Sequence, residues 1–281
     1  MQKELKKYFA FFALPTVIAF AIAFLIPFGM GVYLSFCKFT TVTNAKWVGF
    51  DNYIKAFTIN KDFLNALWFT VAFTVVSVIT INILSFALAM LLTRGIRGTN
   101  VFRTVFFMPN LIGGIVLGYI WQLIINGVLA HYQVTLTFDP KYGFWGLVVL
   151  MNWQLIGYMM IIYIAGIQNI PGDLLEASRV DGASGWVTLR KITIPMVMPS
   201  ITICTFLTLT NSFKLFDQNL ALTNGAPSKK TAMLALDIYN TFYGRAGWEG
   251  VGQAKAVVFF ILVAGIALVQ LWLTRRKEVE S

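Results

Sequence analysis

The chain has 281 residues and a formal net charge of +10, yet only 12% of its residues are charged and 58% are hydrophobic. Soluble domains have about twice that share of charged residues, so this chain could not cover a globular surface with polar side chains. The composition therefore excludes soluble, disordered and disulfide-rich secreted proteins and indicates an integral membrane protein. The two cysteines, Cys37 and Cys204, are expected to be buried packing residues rather than a disulfide or a metal site.

Six segments are long and apolar enough to cross the membrane as helices. About 20 residues of helix span about 30 Å of hydrocarbon, whereas an isolated strand there would leave its backbone amides unpaired. The sequence therefore predicts a single all-α integral membrane domain, residues 1–281, with six transmembrane helices. Their predicted bounds are residues 9–36, 64–92, 104–125, 143–166, 196–222 and 256–274.

Basic residues at the ends of these spans set the predicted orientation. The first span follows a basic flank, residues 3–7, and is too long for a cleaved signal peptide, so we expect it to be retained. With six spans, both termini then face the cytoplasm, with twelve basic residues on that side and nine on the other. The basic residues lie at membrane boundaries without forming a patch, so they indicate contact with lipid headgroups and not with nucleic acid.

The sequence contains no recognisable machinery for ATP hydrolysis or other catalysis, so an enzyme is not expected. Residues 225–231 come nearest to a phosphate-binding loop but lack its second glycine and its spacing. His131, the only histidine, is predicted to be solvated in an outer loop. Lys214 and Asp217 are the only charged residues within a span. Three residues apart on one predicted helix, they are expected to neutralise each other, with proton coupling as the alternative.

The segment between spans four and five, residues 167–195, is too polar to cross the membrane and is patterned as two short helices. The first is predicted to start after Pro171 and to end at Gly182. The second is predicted to start at Gly185 and to stop before Pro195. Two such helices at the cytoplasmic surface form a projection that another protein could bind, and an ordinary amphipathic loop is the alternative.

Two sets of residues form a wider pattern. Within the loop they are Glu176, Ala177, Ser178, Asp181, Gly182, Ala183, Ile192 to Pro195 and Pro199. Elsewhere they are Trp47 to Tyr53, Pro109, Trp121, Phe138 to Pro140, Phe216, Asp217 and Leu222 to Pro227. The loop resembles the Glu-Ala-Ala loop in the transmembrane subunits of ATP-binding-cassette importers, with Ser178 in place of the third alanine. The whole chain resembles the carbohydrate permeases of the maltose and glycerol-phosphate type.

The resemblance implies a type I importer permease fold, whose loop acts as a coupling helix that docks in a cleft of a separate ATPase subunit. The coupling residues it implies are Glu176, Ala177, Ser178, Arg179, Asp181, Gly182 and Pro195. MgATP would bind the partner ATPases, and this chain would hold no cofactor or metal. The implied partners are a second homologous permease, two ATPase subunits and an extracellular or periplasmic solute-binding protein, assembled in a bacterial cytoplasmic membrane.

A transported solute would bind near the bilayer midplane, where spans four and five carry polar side chains at a similar depth. The expected pathway residues are Asn152, Trp153, Gln154, Tyr158, Thr208, Asn211, Ser212 and Leu215. Uncharged hydrogen-bonding groups beside aromatic rings suit a sugar. The alternative is that these polar groups tie packed helices together, while Gly114 and Gly118 permit close approach of another helix.

The sequence therefore predicts a non-catalytic, solute-translocating subunit of an ATP-driven sugar importer, with an oligosaccharide as the expected cargo. Three alternatives remain open: an ion-coupled secondary carrier, an ATP-binding-cassette permease for a solute other than sugar, and a membrane scaffold whose loop only recruits a partner.

Overall fold

The computed structural model describes residues 11–59 and 61–275, which are almost entirely helical. The helices are α1 (Leu14–Ser35), α2 (Asp51–Thr58), α3 (Asp62–Leu92), α4 (Thr99–Phe107), α5 (Gly114–Ala130), α6 (Pro140–Gln168), α7 (Gly172–Val180), α8 (Gly185–Met196), α9 (Met198–Phe213), α10 (Asp217–Leu222), α11 (Leu234–Gly244) and α12 (Glu249–Arg275). Two short strands, β1 (Cys37–Lys38) and β2 (Lys46–Trp47), pair antiparallel. The basic residues of the amino-terminal flank, and those after residue 275, lie outside the described residues, so the orientation stays a prediction.

Four predicted spans coincide with continuous helices, namely α1, α3, α6 and α12, and each is long and apolar enough to cross a membrane. Their burial differs widely. In the most apolar part of α6, 61% of the residues are buried, against 6% in α1 and 11% in α12. α1 and α12 therefore turn most of their apolar side chains outward, as helices that contact lipid or another subunit do.

The third predicted span, residues 104–125, is wrong as a single helix. The chain forms α4, then a 3₁₀ turn over Met108–Leu111 and then α5, whose direction differs by 102°. Pro109 has no N–H to continue the helix, and Gly113 adopts an extended conformation with φ −60° and ψ 139°. The segment is a bent pair of helices that counts as one span only if both halves are taken together.

The fifth predicted span, residues 196–222, is also wrong as a single helix. α9 covers only its middle part, meets α8 at an angle of 69° and ends at Phe213, in a turn rich in polar residues that compete for backbone hydrogen bonds. α10 then starts at Asp217, whose carboxylate lies at the positive end of this helix. Lys214 and Asp217 therefore lie on either side of a break, and among the described residues no ion pair joins them.

Both π-helical turns of the described chain precede a proline by two residues. In α1 the turn covers Ala21–Leu25 before Pro27, and in α8 it covers Leu189–Thr193 before Pro195. Proline lacks an N–H, and its ring clashes with the carbonyl four residues earlier, so a wider turn relieves both problems. The predicted stop before Pro195 is wrong because this turn lets α8 continue to Met196.

Contacts divide the described residues into two compact units. One comprises the described residues up to 63 together with 238–260, and the other comprises residues 64–237 together with 261–275. In the second unit, α6 is the central helix and packs against α4, α5, α9 and α10. Its Tyr163 is 1% exposed. α4 approaches so closely that a Cβ at Gly157 would overlap the carbonyl group of Phe106. The absence of a side chain at Gly157 is therefore what allows these two helices to cross.

In the first unit, residues of the pattern between Trp47 and Tyr53 connect the end of α1 to α2. Asn52 is 4% exposed, and its Nδ2 donates to the backbone oxygens of Ser35 and Cys37, each at 2.9 Å. The ring of Phe36 packs on the aromatic residues of the pattern with centroid distances of 5.2–5.3 Å. These contacts hold the end of α1 against the start of α2.

Two smaller expectations agree with the structure. Cys37 and Cys204 are both free and fully buried. His131 is exposed where α5 ends.

Candidate functional site

A pocket of about 330 Å³ opens where the two helix breaks meet α6. Asn110 lines it from the turn between α4 and α5, and residues 214–218 line it from the break between α9 and α10. α6 contributes Gln154 and Tyr158 to the lining. Interrupted helices suit a binding site in a membrane protein, because they place polar backbone and side-chain groups inside the protein and away from lipid.

The lining of this pocket combines amides, a phenol hydroxyl and one charge of each sign. Gln218 Nε2 donates to Gln154 Oε1 at 2.8 Å, and Gln154 Nε2 donates to the backbone oxygen of Ile112 at 3.5 Å. These bonds hold both glutamine side chains in place across the pocket. Lys214 and Asp217 are exposed and separate, so an ammonium donor and a carboxylate acceptor are both accessible to a solute.

The pocket brings together four of the eight residues predicted in the pathway: Gln154, Tyr158, Asn211 and Leu215. Leu215 lies beyond the end of α9, which stops at Phe213. The other four lie outside the pocket lining: Asn152, Trp153, Thr208 and Ser212. Whether any of the eight contacts a solute stays a prediction.

Asn152 and Thr208 belong instead to a buried polar network that joins three helices. Asn152 Nδ2 donates to Thr80 Oγ1 of α3 at 3.0 Å. Asn82, also on α3, accepts from the Tyr163 hydroxyl at 2.6 Å and donates to Thr208 Oγ1 at 3.5 Å. These contacts match the alternative in which polar side chains tie packed helices together.

The remaining two residues have other surroundings. The Ser212 hydroxyl is fully buried and has no hydrogen-bond partner within the described chain. Trp153 is 43% exposed and packs edge-on against Trp121 at a centroid distance of 5.6 Å. Trp153 therefore contributes an exposed aromatic surface on α5 and α6, apart from the pocket.

Sequence reasoning missed Asn110 and did not assign Lys214, Asp217 or Gln218 to a common site. All four lie at helix breaks, which the apolar pattern alone does not show. A proline within an apolar segment is the signal that could have found Asn110, because Pro109 immediately precedes it.

Close packing of α5 against α10 positions one side of the pocket. A Cβ at Gly114 would lie 2.7 Å from Asp217 Cβ, and a Cβ at Gly118 would lie 2.5 Å from Ala221 Cβ. The close approach predicted for these two glycines is confirmed. It presses the start of α10 against α5 and thereby fixes the position of Asp217 at the pocket.

The predicted projection between spans four and five is formed by α7 and α8, which we call the elbow. Gly182 ends α7 in the left-handed conformation with φ +71°. The N–H of Ala183 bonds to Ser178 O at 2.9 Å, and the N–H of Gly182 bonds to Arg179 O at 3.1 Å, which is a Schellman motif. The hydroxyl of Ser184 caps α8 by accepting from the N–H of Val187 at 3.4 Å.

The elbow turns most of its predicted coupling residues outward. The exposed ones are Glu176, Ala177, Arg179, Asp181 and Gly182. Ser178 faces inward with 5% exposure, where its hydroxyl donates to Leu175 O at 2.9 Å and lies 3.3 Å from Thr188 Oγ1. Pro195 is partly buried within α8. Ser178 therefore joins α7 to α8.

Two large apolar side chains on the elbow are exposed and were not singled out as coupling residues. Val180 is 86% exposed and Trp186 is 68% exposed. Val180 lies three residues after Ala177, so both occupy one face of α7. A face that combines exposed apolar and charged groups is suited to contact with another protein.

The sequence matches a known family over residues 89–279, described as the binding-protein-dependent transport system inner membrane component. The probable starch degradation products transport system permease protein AmyD of Thermoanaerobacterium thermosulfurigenes is 43% identical, over 96% of this chain and 94% of its own length. The multiple sugar-binding transport system permease protein MsmF of Streptococcus mutans is 28% identical and covers 99% of both. The trehalose/maltose transport system permease protein MalF of Thermococcus litoralis is 28% identical over 83% of this chain and 81% of its own length.

Solved structures with a similar fold include a chain of a bacterial ABC transporter involved in the import of the acidic polysaccharide alginate. It superimposes with a TM-score of 0.81 at 21% identity and covers 98% of both chains. A chain of the inward-facing methionine ABC transporter MetNI gives a TM-score of 0.56 at 21% identity, over 77% of this chain and 96% of that one. The protein is therefore a multi-pass member of the family of inner-membrane components of binding-protein-dependent transport systems, with the type I permease fold of ABC importers.

Proposed function

We propose that this chain is the solute-translocating permease of an ATP-driven sugar importer, and that sugar passes through the pocket between the two helix breaks. The observation that carries the proposal is the lining of that pocket, in which amide, hydroxyl and aromatic groups surround one positive and one negative side chain. The names of the relatives for starch degradation products, multiple sugars, and trehalose and maltose support a sugar as the solute.

The chemistry of this lining fits a neutral, hydroxyl-rich molecule. Each sugar hydroxyl both donates and accepts hydrogen bonds, so Lys214 can donate to one hydroxyl while Asp217 accepts from another. The amides of Asn110 and Asn211 can do both. The ring of Phe216 and the aliphatic wall formed by Leu155 suit the C–H faces of the sugar. The charges of Lys214 and Asp217 sum to zero, as suits a neutral solute.

The elbow is the proposed mechanical link to ATP hydrolysis on a partner chain. α8 passes through Pro195 and is separated from α9 by Val197 alone. α9 ends at Phe213, immediately before Lys214 of the pocket. A rigid movement of the elbow would therefore be carried along α9 to the pocket. In this scheme Glu176 makes a polar contact with the ATPase, and MgATP binds there and not on this chain.

The assembly that follows has four kinds of subunit: this chain, a second homologous permease, two ATPases and a solute-binding protein outside the membrane. Each permease provides one elbow, so two permeases serve two ATPases. The elbow and both termini face the cytoplasm, with the basic residues of the loops after spans two and four on the same side.

The test is sugar uptake by the assembled transporter in proteoliposomes, with the solute-binding protein added and radiolabelled maltotriose and trehalose as probes. We expect uptake only in the presence of ATP. Replacing Lys214→Met or Asp217→Asn should raise the half-saturation concentration by about tenfold or more, since each change removes a hydrogen bond to a charged group. Lys141→Met, an exposed lysine that does not line the pocket, is the matched control.

Two results would contradict the proposal. Uptake that persists without ATP and collapses with an ion gradient would indicate a secondary carrier. Equal uptake by the Lys214, Asp217 and Lys141 variants, at all sugar concentrations, would show that the sugar does not pass through this pocket.

A further inference from the structure

A second, larger cavity lies between the elbow and the ends of α3 and α6. Its volume is about 580 Å³, within the range of about 300–1,000 Å³ that is typical of ligand sites. It is separate from the sugar pocket, since the two share no lining residue. The residues that line it come from three places: the end of α3, the end of α6, and the elbow.

The polar part of this cavity is positively charged. Arg94, just beyond the end of α3, and Arg179, on α7, both line it, and no lining residue is acidic. Within the described chain, neither arginine forms an ion pair with a carboxylate. The acidic residues of the elbow, Asp173, Glu176 and Asp181, lie outside the lining. Two guanidinium groups without a carboxylate partner in one cavity favour an anionic ligand.

The rest of the lining points to the kind of anion. The Gln168 amide and several hydroxyl groups, among them that of Thr193, can bond to oxygen atoms. Apolar side chains such as Met90 and Ile167 form the other part of the wall. A ligand with a charged, oxygen-rich group attached to an apolar body matches both parts. Basic pockets between helices on the cytoplasmic side of membrane proteins bind phospholipid headgroups in this way.

We propose that this cavity binds the phosphate group of an anionic phospholipid, held by Arg94 and Arg179. The bound phosphate bridges the end of α3 to α7 and so stabilises the elbow on the membrane helices. This site does not depend on which solute the other pocket takes.

The experiment measures thermal unfolding of the full chain, purified in detergent and stripped of lipid, with three additions: phosphatidylglycerol, phosphatidylcholine and inorganic phosphate. Phosphatidylglycerol should raise the unfolding temperature more than phosphatidylcholine. Arg94→Gln should require about tenfold more phosphatidylglycerol than the unsubstituted protein for the same increase in unfolding temperature. Arg94→Lys should require an amount between those two. Arg97→Gln is the matched control, because this exposed arginine of the same loop does not line the cavity.

A second variant tests the cavity without removing charge. Gly185 lines it, and a Cβ there would meet nothing within 4 Å, so the larger side chain of Gly185→Leu has open space to enter. It should abolish the preference for phosphatidylglycerol.

The remaining outcomes either show whether the bound phosphate belongs to a lipid or is inorganic, or contradict the proposed site. An equal increase with inorganic phosphate, with the same dependence on Arg94, would identify a soluble phosphate as the occupant and support the site. Equal weakening by Arg94→Gln and Arg97→Gln would indicate diffuse surface charge and overturn it. Equal stabilisation by phosphatidylglycerol and phosphatidylcholine would also overturn the site, as would an unchanged lipid preference in Gly185→Leu.

Discussion

Single residues in this protein decide how closely the helices around the pocket at the helix breaks approach one another. Gly118 allows α10 to lie against α5, and this contact fixes Asp217 at the edge of the pocket. Asn152 and Thr208 act over a longer range, because their hydrogen bonds join α6 and α9 to α3. A polar residue in a membrane helix can therefore serve either the pocket or the packing, and its position along the helix does not tell which.

Replacing Gly118→Ala should destabilise the protein, because the new Cβ would lie 2.5 Å from Ala221 Cβ and would push α10 away from α5. Overpacking of this kind costs about 1–3 kcal/mol. Thermal unfolding in detergent should show a lower midpoint. The half-saturation concentration for sugar should also rise, since Asp217 would move with α10.

Gly127→Ala is the control for this prediction, because Gly127 lies on the same helix and a Cβ there would meet nothing within 4 Å. It should leave the midpoint unchanged or raise it slightly, since alanine is the better helix former. Equal destabilisation by both variants would show that the contact between α5 and α10 is not the cause.

At the scale of elements, the helix breaks supply most of the polar side chains of the pocket, and the elbow forms the exposed projection. Both breaks occur next to proline, glycine or clustered polar residues, and both deliver polar side chains to one pocket. The elbow is held by the Schellman motif at Gly182 and by the contact of Ser178 with Thr188. Its stability therefore depends on local geometry as much as on burial.

Gly182→Ala should loosen the elbow, because a residue with a side chain is strained at φ +71° by about 1–2 kcal/mol. Hydrogen exchange of the α7 amides, measured by mass spectrometry, should become about fivefold to thirtyfold faster. Gly172→Ala provides the comparison: it lies at the start of the same helix without a positive φ and with open space around it. If exchange is equally fast in both variants, the left-handed turn does not stabilise the elbow.

At the scale of the whole molecule, the exposed face of the elbow is where the proposed ATPase would bind. Val180→Asp should weaken this association strongly, because Val180 is 86% exposed and would place an unpaired charge in the contact. Co-purification of the ATPase subunits with the tagged chain should fall by about tenfold or more.

Val42→Asp is the matched control for this prediction, since Val42 is also an exposed valine, 56% accessible, but lies between β1 and β2. It should leave co-purification unchanged. Undiminished recovery of the ATPase with Val180→Asp would exclude this face of α7 from the contact.

The sequence by itself determined that the chain is a helical membrane protein with an exposed two-helix projection. Hydrophobicity and length are additive along the chain, so they locate apolar segments such as residues 64–92 without any knowledge of neighbours. Pro171, Gly182 and Gly185 marked the elbow correctly because capping and left-handed turns are local properties.

Only the tertiary structure decided which polar residues share a site. Lys214 and Asp217 looked like a neutralised pair on one helix, but the chain breaks between them and both line the pocket. Asn110 lies more than 40 residues from Gln154 in the sequence, and the pocket unites them only because both helix breaks pack against α6. The physical reason is that pocket formation depends on contacts between distant segments, which a periodic pattern in one segment does not encode.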